Sequence, residues 1–375
     1  MTKFVTVEGR ALKQAMKIIS AIVERRNTIP ILNYAMLTHS AAGLRITGTD
    51  LDIEAHTDLD VIDGSGGEWS ACISAATLAG IARVAGAMNI RIERADNDLK
   101  ATITLGDGAA FYEIETLAET DFPGIGGERG DLIEAFTNGM FAATLDKVQW
   151  CVSTEETRYY LNGVCWHITP KDRRFVATDG HRMAICKYAS EGGETSTRII
   201  PRKTVRIITD HLAGKDVKLF AVNEPGRLDI VAPGLTIRTK LIDGTYPDYQ
   251  RVIPGRHDFT FDLKRDEIVA AIDQATALGG DRTTAIKFSN DNGRTVIERR
   301  SPDFGSAQVK TSTAWPLDRS TKQEPQPFAF NSRYLREVAS NCQGAISLRM
   351  LDQSSPFSIH DEDKTMTRIL MPVRA

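Results

Sequence analysis

Two periodicities alternate along the chain, and their order recurs. Residues 4–7 (Phe4-Val5-Thr6-Val7) alternate apolar and polar, as a half-buried strand does. Leu12, Ala15, Met16, Ile19, Ile22 and Val23 then share one face at i, i+3, i+4, i+7 spacing, which predicts a helix. Strand-like runs follow at Tyr34–His39, Leu44–Thr49, Leu51–Asp60 and Trp69–Ile73. Ser74 is placed to cap a second helix with Leu78, Ile81, Ala82 and Ala85 on its apolar stripe. Three more strands are expected near 88–95, 98–106 and 109–116.

The same order starts again at Leu132–Phe136. A helix marked by Phe141, Leu145, Val148 and Val152 precedes strands at Val164–Ile168, Arg174–Thr178 and Arg182–Tyr188. Pro201 sits where a proline suits the first helical position, and Val205, Ile208 and Leu212 continue that helix. Strands near 216–222, 227–231 and 235–241 close this copy. A third runs from about 257. It has a strand at Phe259–Leu263, a helix carrying Ile268, Val269, Ile272 and Ala275, and strands near 284–289, 294–300 and 306–312. Asn331 then caps a helix with Tyr334, Leu335, Val338 and Cys342, before strands at 345–351, 356–360 and 366–372.

Landmarks recur at a common offset. Thr49-Asp50 and Thr178-Asp179 stand 129 residues apart and both join strands; Phe122-Pro123 and Tyr246-Pro247 stand 124 apart and both follow the last strand of a copy. Three copies of about 125 residues account for the whole length. The expected domains are 1–125, 131–254 and 257–375. Gly124–Gly130 reads as a flexible glycine-rich linker and Pro254–His257 as a second connection. The class is α+β, each copy packing two helices on antiparallel sheets.

Composition narrows the function. With 42% hydrophobic and 25% charged residues the chain is an ordinary globular one. No window approaches the roughly 20 apolar residues of a membrane span, and Met1–Glu8 lacks a signal-peptide layout. Five cysteines without a C-x-x-C pair fit a reducing compartment. Net charge is −3, from 46 basic and 49 acidic residues. Yet basic residues gather on most of the helices: Lys13, Lys17, Arg25 and Arg26; Arg83; Lys147; Arg202, Lys203 and Arg206; Lys264 and Arg265; Arg333 and Arg336. Solvated helix faces explain any one of these. Together they point to helices sharing a face aimed at a polyanion.

Catalytic signatures are missing. There is no P-loop, no H-E-x-x-H and no G-x-S-x-G, and the seven histidines are scattered. Gly64-Ser65-Gly66-Gly67 and Gly124-Ile125-Gly126-Gly127 lack the strand–turn–helix frame of a dinucleotide site. Asp50 with Asp52, and Asp361 with Asp363, could pose as carboxylate pairs of a two-metal nuclease, but such pairs are common on solvated edges. Asp179-Gly180-His181 reads as a tight turn rather than an acid–base pair. No cofactor and no metal is expected. An ordinary DNA-binding protein and a metal-dependent nuclease stay open on these grounds.

Several motifs go further: Thr28-Ile29-Pro30-Ile31-Leu32, Gly48-Thr49-Asp50-Leu51, Arg158-Tyr159-Tyr160-Leu161-Asn162-Gly163, Ala177-Thr178-Asp179-Gly180-His181-Arg182, Pro201-Arg202-Lys203, Leu241-Ile242-Asp243-Gly244 with Tyr246-Pro247-Asp248-Tyr249, and Met371-Pro372-Val373-Arg374. In this order, over the whole length, the chain resembles the bacterial DNA polymerase III beta subunit, the sliding-clamp family. The resemblance implies a head-to-tail homodimer closed into a ring of six domains with helices lining the hole. It implies a processivity factor without catalysis of its own that encircles duplex DNA. Implied partners are the polymerase III alpha subunit, clamp-loader subunits, and other polymerases, ligase and mismatch-repair proteins carrying a clamp-binding peptide. No membrane partner is implied, and the expected location is cytoplasmic, at the nucleoid.

The resemblance also implies sites. A peptide of the kind Gln-Leu-x-Leu-Phe would dock against Leu161, Thr178, Gly180, His181, Arg182, Met183, Pro247, Arg251, Val252, Ile369, Met371, Pro372, Val373 and Arg374. DNA contact would fall to Arg26, Arg158, Tyr159, Tyr160, Arg202 and Lys203. Tyr112 and Ile114, on an edge strand, would face Ala277 and Leu278 across the dimer seam. The chain departs from the family pattern at Val373, where Met is common, at Ala375, where Leu is common, and at the small Ala277. Few acids occur between Ser301 and Gln308. A smaller apolar area at the terminus and a seam less dependent on ion pairs are expected.

Overall fold

The computed structural model describes residues 3–24, 28–94, 99–222, 226–278, 285–317 and 323–374. Among these, six helices and 25 strands follow the threefold order. The first repeat holds β1 (Lys3–Glu8), α1 (Gly9–Ile22), β2 (Tyr34–Ser40), β3 (Gly43–Thr49), β4 (Ile53–Leu59), β5 (Asp63–Ser65), β6 (Trp69–Ser74), α2 (Ala75–Ala85), β7 (Asn89–Arg94), β8 (Lys100–Leu105) and β9 (Ala110–Leu117). The second holds β10 (Asp131–Phe136), α3 (Met140–Gln149), β11 (Gly163–Ile168), β12 (Asp172–Thr178), β13 (Arg182–Ala189), β14 (Ser196–Pro201), α4 (Arg202–His211), β15 (Val217–Val222), β16 (Arg227–Ala232) and β17 (Leu235–Lys240). The third holds β18 (Phe259–Lys264), α5 (Arg265–Thr276), β19 (Ala285–Asp291), β20 (Arg294–Ser301), β21 (Gly305–Ala314), β22 (Phe328–Asn331), α6 (Ser332–Ser340), β23 (Ala345–Met350), β24 (Phe357–His360) and β25 (Met366–Leu370).

The described strands form two compact units, and the second repeat is divided between them. In the first unit, residues up to 143 with 203–241, a 13-stranded antiparallel sheet runs β10-β15-β16-β17-β4-β3-β2-β6-β9-β8-β7-β1-β5. The second repeat enters it through β17, paired with β4 from Ile53↔Thr239 to Thr57↔Leu235. In the second unit, 144–202 with 242–375, an eight-stranded sheet runs β14-β11-β12-β13-β25-β24-β23-β18, and a four-stranded one runs β21-β20-β19-β22. There β13 pairs with β25 from Arg182↔Leu370 to Cys186↔Met366. Strand pairing thus carries one sheet from repeat to repeat at both joins.

The helices form where the apolar stripes lie. Leu12, Ala15, Met16 and Ile19 of α1 are buried in the core containing Val5, Leu37, Ile46, Ile73 and Ile92. Ser74 Oγ accepts from the Thr77 N–H at 3.3 Å and caps α2. Asn331 Oδ1 accepts from the Arg333 and Tyr334 N–H groups and caps α6. In the third repeat, Phe261, Phe288, Phe328, Phe330 and Phe357 form one aromatic core.

Four expectations need correction. Strands β5, β14 and β22 escaped the sequence pattern. The last two precede the second helix of their repeats, as β6 does in the first, so the repeat itself could have supplied them. Pro201 ends β14 opposite Gly163, one residue before α4 begins at Arg202; without an N–H it suits a strand end whose ladder needs no donor there. The strand expected from Leu51 begins at Ile53, because Leu51 takes a left-handed φ of 78° in a turn. The Gly124–Gly130 linker is not a free tether: Ile125, Gly126 and Glu128 all donate or accept main-chain hydrogen bonds to side chains of the sheet.

Candidate binding groove

In the second unit the β12–β13 turn, the segment before β11, the segment after Tyr246 and the end of β25 surround a groove of ≈310 Å³. Its lining includes nine of the fourteen residues expected there: Leu161, Thr178, Gly180, Arg182, Met183, Pro247, Val252, Ile369 and Met371. Leu161, Met183 and Ile369 are buried, and Met183 and Ile369 face each other across the β13–β25 pairing. They belong to a core with Val176, Ile185, Tyr246 and Tyr249. Val252, 42% exposed, ends a 3-10 turn (Tyr249–Val252) that Asp248 caps.

The turn is set by its own polar atoms. Thr178 Oγ1 donates to the Arg182 carbonyl at 2.7 Å, and Asp179 Oδ1 accepts from the His181 and Arg182 N–H groups at 2.9 and 3.1 Å. Gly180 takes a φ of +88°, and a Cβ there would lie 2.5 Å from Arg158 Nη1. Met371 then donates its N–H to the His181 carbonyl at 2.9 Å, and Val373 bridges to Ala329 at 2.8 Å. These two bonds fix the terminal segment along the groove.

The groove's charges are paired. Arg158 makes a two-pronged pair with Glu155 at 2.6 and 2.7 Å; this hydrogen bonding raises the arginine's pKa and lowers the glutamate's. Arg251 pairs with Asp248 at 2.9 Å. Arg182, buried, donates to Asp179 at 3.0 Å, to the Trp150 carbonyl at 3.1 Å and to Glu337, with its guanidinium 4.8 Å from the Tyr334 ring centre. Tyr249 donates or accepts at His167 Nδ1 at 2.7 Å, and burial raises the pKa of its hydroxyl. The result is an apolar floor under a polar rim whose charges are already met, suited to apolar side chains carried on a peptide.

The remaining expected residues lie around it. His181 stacks on Tyr334 at 5.4 Å, Arg251 and Arg374 are exposed, and Pro372 is half-buried. Val373 is 38% exposed. Two residues expected at DNA, Arg158 and Tyr160, line this groove, while Tyr159 beside them is 53% exposed. Asp248 and Tyr249 line it without having been expected; they fall within the Tyr246–Tyr249 motif, which was the available signal. Nothing in the sequence announced Trp150, Tyr334 or Glu337, because their contacts with Arg182 span 32 to 155 residues.

The other candidates are placed as follows. Lys203 Nζ donates to the Ile22 carbonyl at 2.7 Å and pairs with Asp50 at 2.5 Å, tying α4 to the end of α1. Arg202 is exposed, with one long contact to the Ser153 carbonyl at 3.5 Å. Arg26 and Ala375 lie outside the described residues. Lys13, Lys17 and Arg83 are exposed and have no ion pair among the described residues. Tyr112 and Ile114 are half-buried on β9, whose residues 110–115 pair, among the described residues, with β8 on one side only. Ala277 caps α5 and is exposed; Leu278 is half-buried. The four aspartates weighed as metal ligands each have a cation: Asp50 has Lys203, Asp52 has Lys240, Asp361 has Arg368 and Asp363 has Lys147.

Known proteins match the chain throughout. Family models described as the N-terminal, central and C-terminal domains of the DNA polymerase III beta subunit match residues 2–126, 136–248 and 250–374. The Caulobacter vibrioides beta sliding clamp is 30% identical over 386 residues, covering 98% of this chain and 99% of the relative. A sliding clamp from Bartonella birtlesii, solved bound to griselimycin, is 28% identical with a TM-score of 0.90 and full coverage of both chains. The Caulobacter crescentus clamp structure is 28% identical with a TM-score of 0.89, covering 99% of this chain and 100% of its own.

Proposed function

Because the chain belongs to the DNA polymerase III beta-subunit family, the beta sliding clamps, we propose that its groove is the docking site for partner peptides. The chain is a DNA sliding clamp, a processivity factor and not an enzyme. Family membership brings DNA, a second copy of the chain and polymerases as partners in general, and a ring-shaped dimer is consistent with it.

The observation that carries the docking role is the apolar floor of Leu161, Met183 and Ile369 beneath a rim of paired charges. A peptide offering leucine and phenylalanine side chains would bury them there. Main-chain groups of the Thr178–Arg182 turn and the terminal segment would orient it. Polymerase III alpha, clamp-loader subunits, other polymerases, ligase and mismatch-repair proteins would share this one site in turn.

Within this reading, Lys13, Lys17, Arg83 and Arg202 contact duplex phosphates. Such contacts are independent of sequence and exchange along the duplex, so a ring can slide. Tyr112 and Ile114 would meet Ala277 and Leu278 of a second copy, the free side of β9 supplying main-chain donors and acceptors. Domain limits at 1–125, 131–254 and 257–375 fit this scheme, and a location at the nucleoid follows from the replication role. No described helix is long and apolar enough to cross a membrane.

The test separates the two halves of the proposal. Loaded clamp should stay on a nicked circular plasmid and be lost when the circle is cut. Val252→Ala/Met371→Ala should keep that retention and lose stimulation of primer extension. An ordinary DNA binder would ignore the cut, and full stimulation in the variant would remove the groove from the account.

A further inference from the structure

The join of the first and second repeats has the main-chain framework of the groove, built from different side chains. Thr49 Oγ1 donates to the Ile53 carbonyl at 3.0 Å, and Asp50 Oδ1 accepts from the Asp52 and Ile53 N–H groups at 3.0 and 2.7 Å. Leu51 takes the left-handed φ that Gly180 takes in the second repeat. Lys240 donates its N–H to the Asp52 carbonyl at 2.9 Å, as Met371 does to His181. In this register Glu54 stands where Met183 stands, and its partner Arg238 stands where Ile369 stands.

An apolar pair in one place is therefore an ion pair in the other, with Arg238 Nη1 3.9 Å from Glu54 Oε1. Both charges grip the same linker residue. Glu54 Oε2 accepts from the Ile125 N–H at 2.8 Å, and Arg238 Nη1 donates to the Ile125 carbonyl at 3.0 Å. Arg227, buried and anchored on Asp229 at 2.8 Å, donates to the Gly126 carbonyl at 2.6 Å and to that of Glu128. Ile125 lies two residues after Pro123, as the groove-lining Tyr249 lies two after Pro247.

We propose that this join is a groove of the same build whose floor has become a main-chain clamp, permanently occupied by the chain's own residues 125–128. Buried charges need hydrogen-bond partners, and here the linker's peptide groups complete them. Expelling the linker would leave Glu54 with only its long contact to Arg238 and strip Arg227 of two carbonyl acceptors, leaving it only Asp229. Gly127 fits the scheme, with a φ of +99° and an absent Cβ that would lie 2.9 Å from Arg227 Nη1. Two consequences follow. The linker fastens the first two repeats beyond what strand pairing does, and each chain offers one partner groove rather than two. The second consequence rests on the docking role proposed above; the clamp does not.

Hydrogen–deuterium exchange on the full chain tests it through peptides covering 122–130. The Ile125 amide should exchange at least about tenfold more slowly than an unstructured amide. Glu54→Met, which installs the residue of the counterpart position, should release it to within about threefold of that rate. Exchange at the unstructured rate in the unmodified protein overturns the clamp, whether or not the variant folds. In a second arm, Gln-Leu-Ser-Leu-Phe is titrated, with one equivalent per chain expected and none in Val252→Ala/Met371→Ala. A second equivalent that survives in that variant overturns the self-occupied join. A protected linker in a protein that binds no peptide would instead contradict the docking role and leave the clamp in place.

Discussion

Replacing Arg182 by methionine should destabilise the second unit without emptying the groove of its apolar floor. The guanidinium donates to Asp179, Glu337 and the Trp150 carbonyl and lies over the Tyr334 ring. Not all of that is lost at full value. Asp179 keeps the N–H groups of residues 181 and 182, and Glu337, 38% exposed, is hydrated and stays 3.8 Å from Arg333. The loss reduces to about one charge-assisted hydrogen bond, one orphaned carbonyl and a cation–π contact, roughly 3 kcal/mol in all with methionine filling the volume. For a unit of this size that lowers the melting temperature by roughly 6–12 °C. Calorimetry should show the drop in the transition containing residues 144–202 and 242–374. A double-mutant cycle with Glu337→Gln should give a coupling of about 1 kcal/mol. A decrease below about 2 °C, or no coupling, would refute the view that Arg182 holds the turn to α6.

Gly180→Ala should cost about 1–2 kcal/mol from the left-handed φ, and push Arg158 off Glu155, seen as a lower melting temperature together with weaker peptide binding, since Gly180 and Arg158 both line the groove. Arg202→Ala should weaken DNA association modestly and reduce its salt slope by about one, whereas Lys203→Ala should lower stability, because Lys203 is spent on Asp50 and Ile22; equal DNA binding by Arg202→Ala at low salt would remove Arg202 from the DNA path. His56 and His360 are each pushed down to about 4, by burial first and then by cations such as Arg45 and Arg349. A folded value below the ordinary 6.5 adds stability above 6.5 that is lost as pH falls through about 4, so melting temperature should fall over that window, and less so in His56→Gln.

The repeat was legible because helix and strand periods recur with their caps: Ser74 and Asn331 behave as written in the sequence. The Thr-Asp turns at 49 and 178 were legible for the same reason. What stayed hidden depends on contacts distant in sequence. Arg182 was legible as a groove residue, but its anchoring on Trp150, Tyr334 and Glu337 was not. Gly124–Gly130 looks flexible by composition, yet Glu54, Arg227 and Arg238, up to 113 residues away, hold its main chain. The family resemblance implies DNA contact for Arg158 and Tyr160; that both also line the groove, from the N-cap and the middle of the 3-10 turn Tyr159–Leu161, was not legible from their motif.

The docking role of the groove is tested most directly by titrating a fluorescent Gln-Leu-Ser-Leu-Phe peptide against the intact chain and a chain lacking residues 371–375. The account predicts saturable binding at roughly micromolar strength to the intact chain. Truncation, which removes Met371 from the lining and both terminal main-chain bonds, should weaken it at least about thirtyfold while the dimer persists. Equal binding by the two forms would contradict it.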